Sequence, residues 1–206
     1  MTQHLFLPIV GPLLGAVLCL ALRRRLPAQR LVSLLVMAGL VAYLGLVLWP
    51  DLGRGAGYLT LLLGSWPAPF GIVLVADTLS ALMLSVTAVT ALCVLVYAIG
   101  WLRGADQVDH FFPLYLVLLA GVNGAFLTGD IFNLFVCFEV LLVASFGMLV
   151  LGGKHAQLEG ALKYLAISQV ASAMLLVGAG LLYGTTGTLN MADLSVRLAL
   201  PAVAPY

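Results

Sequence analysis

The sequence predicts an all-α polytopic membrane protein, and three observations carry that reading. Of 206 residues, 63% are hydrophobic and only 8% are charged, against about 25% charged in an ordinary soluble domain. The apolar residues gather in blocks long enough to cross about 30 Å of hydrocarbon at about 1.5 Å per residue. The charged residues collect, with few exceptions, between those blocks. A net charge of +1 says nothing about acidic partners, and nothing in the sequence resembles a nucleic-acid footprint. Cys19, Cys93 and Cys137 are odd in number and isolated inside apolar runs, so they form neither a disulfide framework nor a metal-ligand pattern. They read as small buried hydrophobes.

Six spans follow in order. The first is Leu5 to Leu22, stopped by Arg23-Arg24-Arg25; the second is Leu31 to Trp49, stopped by Pro50-Asp51. Together, residues 1–50 make a two-helix anchor. The basic cluster follows the first apolar run instead of preceding it, which is the wrong order for a cleavable signal. Residues 51–77 form an outer loop. Its stretch "YLTLLLGSWPAPFGIVLVAD" is broken by Gly64, Pro67, Pro69 and Gly71. The two arms, Tyr58–Leu63 and Ile72–Ala76, are too short to span and suit a small extracytoplasmic β-hairpin. The third span runs from Thr78 to about Trp101, the fourth from Phe111 to Leu127, the fifth from Ile131 to Leu151 and the sixth from about Leu158 to Tyr183. These make up residues 78–183. Residues 184–206 become polar and then amphipathic, with Asn190 or Asp193 able to cap a short helix. The Ala/Pro-rich stretch up to Tyr206 reads as the approach to a seventh helix. There are no 20–50-residue repeats and no low-complexity tracts.

The basic residues set the orientation. Loops after spans one, three and five hold Arg23, Arg24, Arg25, Arg30, Arg103 and Lys154, with Lys163 just inside the next helix. The opposite side holds only Arg54 and Arg197. The first set is therefore expected in the cytoplasm and the N-terminus outside, in a bacterial cytoplasmic (inner) membrane.

Most polar residues in or beside the spans have a structural explanation at hand. Asp77, before "TLSALML", suits a helix N-cap at the outer interface, with ion entry as its functional alternative. Asn123, between Gly121 and Gly124, suits close helix packing with an interhelical hydrogen bond. Asp130 in the turn "TGD" suits a cap on the fifth helix. His4, His110 and His155 sit near span ends as interface residues. Lys163 lies about 8 Å into the sixth span and can snorkel to the interface, or line a hydrated path. Gln169 and Ser172 share a face of that helix; they either hold water below Lys163 or bond a neighbouring helix.

Glu139 has no such explanation. In "NLFVCFEVLLVASF" it is the one charged residue between Ile131 and Leu151. It stands eight and twelve residues from those ends, about 12 Å and 18 Å, too far to snorkel. A charge at the membrane centre costs about 2.5–3.5 kcal/mol even on the mild insertion scales. Dry surroundings favour the neutral form of any carboxyl group, and a nearby cation or water file favours the ionised one. A group poised between the two can take up and release a proton, so Glu139 is the first candidate for a translocation site.

The segments "DTLSALML", "LAGVNGAFLTGDIFNLFVCFEVLLVASFGMLVLGG" and "LLYGTTGTLNMADL", with "GSWPAPFGIVLVAD" ahead of them, resemble the D subunit of Mrp-type multisubunit monovalent cation/proton antiporters. That subunit belongs to the antiporter-like family shared with the proton-pumping subunits of respiratory complex I. The likeness runs from about Gly64 to Leu194. It implies that the family's essential fifth-helix glutamate falls on Glu139, and that the lysine it pairs with, on a seventh helix, lies beyond Tyr206. It also implies two inverted helical repeats, of which only the N-terminal portion is present, with H⁺ and Na⁺ as coupling ions and other antiporter subunits as partners.

Three functions fit: an ion-translocating subunit of a Na⁺/H⁺ antiporter, a proton-pumping subunit of an NADH–quinone oxidoreductase or membrane-bound hydrogenase, and a non-conducting membrane scaffold. The sequence carries no flavin, haem, iron–sulfur or nucleotide motif, so no cofactor and no redox catalysis are expected of this chain. Proton or ion translocation is expected at Glu139, with Lys163, Asp77 and Gln169 as lesser candidates.

Overall fold

A computed structural model describes residues 3–55, 57–66, 70–102 and 110–199. Helix α1 (Leu7–Ala21) follows a single 3₁₀ turn. After it come α2 (Leu26–Tyr43), α3 (Trp49–Arg54), strands β1 (Tyr58–Leu62) and β2 (Val73–Asp77), and α4 (Thr78–Trp101). The remaining helices are α5 (Phe111–Leu127), α6 (Ile131–Leu149), α7 (His155–Thr186) and α8 (Met191–Leu198). Among the described residues, five helical segments are long and apolar enough to cross a membrane, and α5 is a shorter apolar helix of 17 residues. The predicted all-α polytopic architecture is therefore present, with the small hairpin. β1 and β2 pair antiparallel, Tyr58 opposite Asp77 and Leu62 opposite Val73.

The second span needs correction at both ends. Pro50 reads in the sequence as the end of the second span, but the helix continues to Arg54. A π-helical turn over Leu44–Leu48 precedes the proline. Pro50 has no N–H and crowds the preceding turn; widening that turn by one residue lets the helix pass without breaking. The same span begins at Leu26 with Pro27 in its first turn, where a missing N–H costs nothing.

Helix α5 is the central post, packed against α1, α4 and α6. Its buried side includes Phe112, Leu116, Leu119 and Leu127. The contact with α1 has a specific cause. Pro12 inside α1 offers no N–H, so the carbonyl of Pro8 one turn earlier has no helical donor. Buried Asn123 of α5 donates its side-chain amide to that carbonyl at 2.8 Å. The interhelical hydrogen bond expected for Asn123 thus repairs a proline defect. On the α6 side, Gly121 and Gly124 allow close approach. A Cβ on Gly121 would lie 2.9 Å from the Leu141 backbone nitrogen, and one on Gly124 would lie 2.7 Å from Cys137 Sγ.

Two ends can be told apart. One carries the hairpin, the α5–α6 turn and the α7–α8 loop, laced by Gly129 N–H to Val73 O (2.8 Å), Ile131 N–H to Leu189 O and Met191 N–H to Gly129 O (both 2.9 Å). The start of the chain is tied to the same end. His4 Nδ1 lies 3.0 Å from Tyr43 Oη, and its Nε2 lies 3.1 Å from Asp51 Oδ2. The opposite end carries Arg23–Arg25, the turn before Lys154, and Arg30, which donates to Leu102 O at 3.0 Å. Arg103 lies outside the described residues, as does the stretch from position 200 to Tyr206.

Candidate functional site

Glu139 sits near the middle of α6, about 12 Å from Ile131 and about 15 Å from Leu149. The close α5 contact fixes which way it faces. Cys137 and Leu141 meet Gly124 and Gly121, and at about 100° per residue Glu139 is about 200° from Cys137. That turns its side chain to the α7 side of the helix. There the hydroxyl of Ser172 donates a hydrogen bond to Glu139 Oε1. Ser172 is buried, and Glu139 is half-buried.

A second polar contact bridges the same pair of helices. Ser145 Oγ lies 2.9 Å from Tyr164 Oη, and Ser145 also donates to Leu142 O at 2.9 Å. Tyr164, Ser168 and Ser172 follow at i, i+4 and i+8, so α7 turns a row of hydroxyls toward α6 over about 12 Å. Sequence reasoning singles out Ser172 but misses Ser145 and Tyr164. The four-residue spacing on α7 is the signal that could have found the row.

A hydroxyl is a suitable neighbour for an acid that changes its protonation state. It can donate to a carboxylate, and after rotation it can accept from a carboxylic acid. The contact can therefore persist in both states, whereas a lysine partner would favour the ionised form alone. Among the described residues, no cation forms an ion pair with Glu139.

The lesser candidates lie elsewhere. Lys163 Nζ binds Glu159 Oε1 at 2.6 Å, with the two side chains 70% and 58% exposed, on the flank of α7 turned away from α6. Gln169 is exposed, three residues from Ser172. Asp77 caps α4: the Ser80 backbone N–H donates to its Oδ1 at 2.7 Å and holds its carboxyl below the usual carboxylate range. Asp130 caps α6 through Asn133 N–H at 2.9 Å. Asn190, not Asp193, caps α8, accepting from the backbone N–H groups of Ala192 and Asp193 at 3.1 Å each. Asp193 instead pairs with Arg197 at 3.1 Å. Hydrogen bonds from Arg197 and Thr188 hold its carboxyl below the usual range.

Comparison with known proteins follows the same outline. The family model "NADH:quinone oxidoreductase/Mrp antiporter, TM" matches residues 128–202. The model for the N-terminus of chain 5 of complex I, the NADH–ubiquinone oxidoreductase, matches 63–112. The chain is 41% identical over 199 residues to the D subunit of the Na⁺/H⁺ antiporter of Bacillus subtilis, covering 97% of this chain and 40% of that one. It is 43% identical over 199 residues to the D subunit of a probable K⁺/H⁺ antiporter of Rhizobium meliloti, covering 95% and 36%. Among solved structures it superimposes on a chain of the Mrp complex from a Dietzia species with TM-score 0.84 and 31% identity, covering 97% of this chain and 40% of that one. The chain spans about two-fifths of the length of these relatives.

Proposed function

This chain belongs to the NADH:quinone oxidoreductase/Mrp antiporter family, matching the N-terminal portion of its D-type antiporter subunits, and from that premise we propose that it forms the proton-exchanging part of a monovalent cation/proton antiporter. Na⁺ is the exchanged cation and H⁺ the coupling ion. The partners are the other subunits of a hetero-oligomeric antiporter complex, in a bacterial cytoplasmic membrane with the N-terminus outside. The observation that carries the reading is Glu139 itself, an acid at mid-span whose neighbour Ser172 can hydrogen-bond one of its oxygens in either protonation state. Dry surroundings favour the neutral form of a carboxyl group in general, and water or a cation favours the ionised form. The row of hydroxyls on α7 extends a polar line from Ser172 toward the end of the molecule that carries Lys154.

Glu139→Gln keeps shape and hydrogen-bonding capacity but cannot ionise. In the complete complex it should abolish Na⁺-driven proton movement in everted vesicles, at wild-type protein abundance, because an amide is cheaper to bury than a charge. Glu139→Asp keeps the titrating group one methylene back, so partial exchange with a shifted pH profile is expected. Near-normal exchange in Glu139→Gln overturns the proposal.

A second reading has its own support, the match of residues 63–112 to the complex I model. In that case redox chemistry elsewhere in the assembly drives the same acid. Proton movement would then require NADH or another electron donor and would not follow an imposed Na⁺ gradient.

A further inference from the structure

We propose that the groove between α1, α5 and α6 holds an acyl chain of an anionic glycerophospholipid, whose phosphate rests on Arg23, Arg24 and Arg25. The groove has a volume of about 520 Å³ and is lined by Leu13, Val17 and Leu20 of α1, Leu114 and Val117 of α5, and Val150 after α6. Leu13 to Leu20 covers about 10 Å of helix. Apart from His110 at the rim, the lining residues are apolar.

Charge complementarity selects the occupant. Leu20, a lining residue, is followed by Arg23, Arg24 and Arg25 at three to five positions, just past the end of α1. A second hollow of about 270 Å³ there is lined by Ala21, Leu22 and the three arginines. All three are exposed, and among the described residues no carboxylate pairs with any of them. Lys154 and His155 follow Leu151, another lining residue, by three and four positions. An apolar groove beside guanidinium groups that no carboxylate neutralises fits a molecule with an apolar tail and a negatively charged head. Arginine forks match phosphate oxygens two at a time. A neighbouring protein helix would fill the groove but leave the arginines without a counter-charge. The proposal requires only that the chain span a membrane and is independent of the role of Glu139.

The test is native mass spectrometry of the complete complex, delipidated and offered phosphatidylglycerol or phosphatidylcholine with the same acyl chains. Wild type should retain phosphatidylglycerol and lose phosphatidylcholine. The double variant Arg24→Gln/Arg25→Gln should lower that preference by about fivefold per arginine. Val17→Trp, which fills the groove from an exposed position, should abolish retention while the subunits stay assembled. Equal retention of both lipids, or retention unchanged in both variants, overturns the proposal. So does efficient cross-linking of Val17→Cys to another protein segment in the complex, which would show that protein occupies the groove.

Discussion

Pro12 and Asn123 are 111 positions apart, yet each makes sense only beside the other. Pro12 leaves the Pro8 carbonyl without a helical donor, and the Asn123 amide replaces the missing N–H. Asn123→Ala should therefore lower thermal stability in detergent by the equivalent of about 1–2 kcal/mol. In a Pro12→Ala background, where the backbone N–H returns, the same change should cost less than about 0.5 kcal/mol. Equal cost in both backgrounds would show that Asn123 does not serve that carbonyl. The sequence identifies Asn123 as a helix-packing donor but not its acceptor, because nothing local links the two positions. Glu139 is legible for the opposite reason: an acid with no cation within a helical turn is conspicuous in its own segment. The Lys163–Glu159 pair is also present in the i, i+4 spacing, and it leaves Lys163 on the opposite flank of α7 from Ser172.

Between elements, the α5–α6 contact aims Glu139. Its two glycines meet different obstacles. A Cβ on Gly121 would press on the Leu141 backbone, which cannot yield; a Cβ on Gly124 would press on the Cys137 thiol. Gly121→Ala should separate the helices and cost about 1–3 kcal/mol, and no single side-chain truncation on α6 should restore it. Gly124→Ala should be relieved by Cys137→Ala. Abundance and heat resistance of the four variants in membranes measure this; a harmless Gly121→Ala would contradict the close approach. The spans themselves are readable from hydropathy, and the α4 and α5 boundaries agree residue for residue with Thr78–Trp101 and Phe111–Leu127. The overrun of the second span past Pro50 is not readable. A π turn absorbs the proline, and local sequence gives no sign of which prolines will be absorbed. α7 ends at Thr186, three residues past the predicted end of the sixth span, where Gly187 follows at φ 70° with its N–H bonded to Tyr183 O at 2.7 Å. A left-handed glycine is the more dependable stop.

Across the whole molecule, the two polar ends make orientation testable. The basic end, with Arg23–Arg25 and Lys154, should face the cytoplasm, and the laced end, with the hairpin and the α7–α8 loop, should face out. A cysteine introduced at Gly184 should react with an impermeant thiol reagent from the periplasmic side. One introduced at His155 should react only in inverted vesicles. The reverse pattern would overturn the orientation. The outer face of α7 is apolar and open, with Ile167, Met174 and Leu181 exposed.

If Glu139 is the proton-exchanging group proposed above, its carboxyl group changes protonation during transport. Infrared difference spectroscopy of the complete complex in lipid, recorded as the Na⁺ concentration is switched at constant pH, reads carboxylic C=O and carboxylate bands directly. Na⁺ should remove a carboxylic C=O band and add a carboxylate band, and Glu139→Gln should lose the pair while other Na⁺-induced signals survive. A band pair undiminished in Glu139→Gln would show that the proton is carried elsewhere.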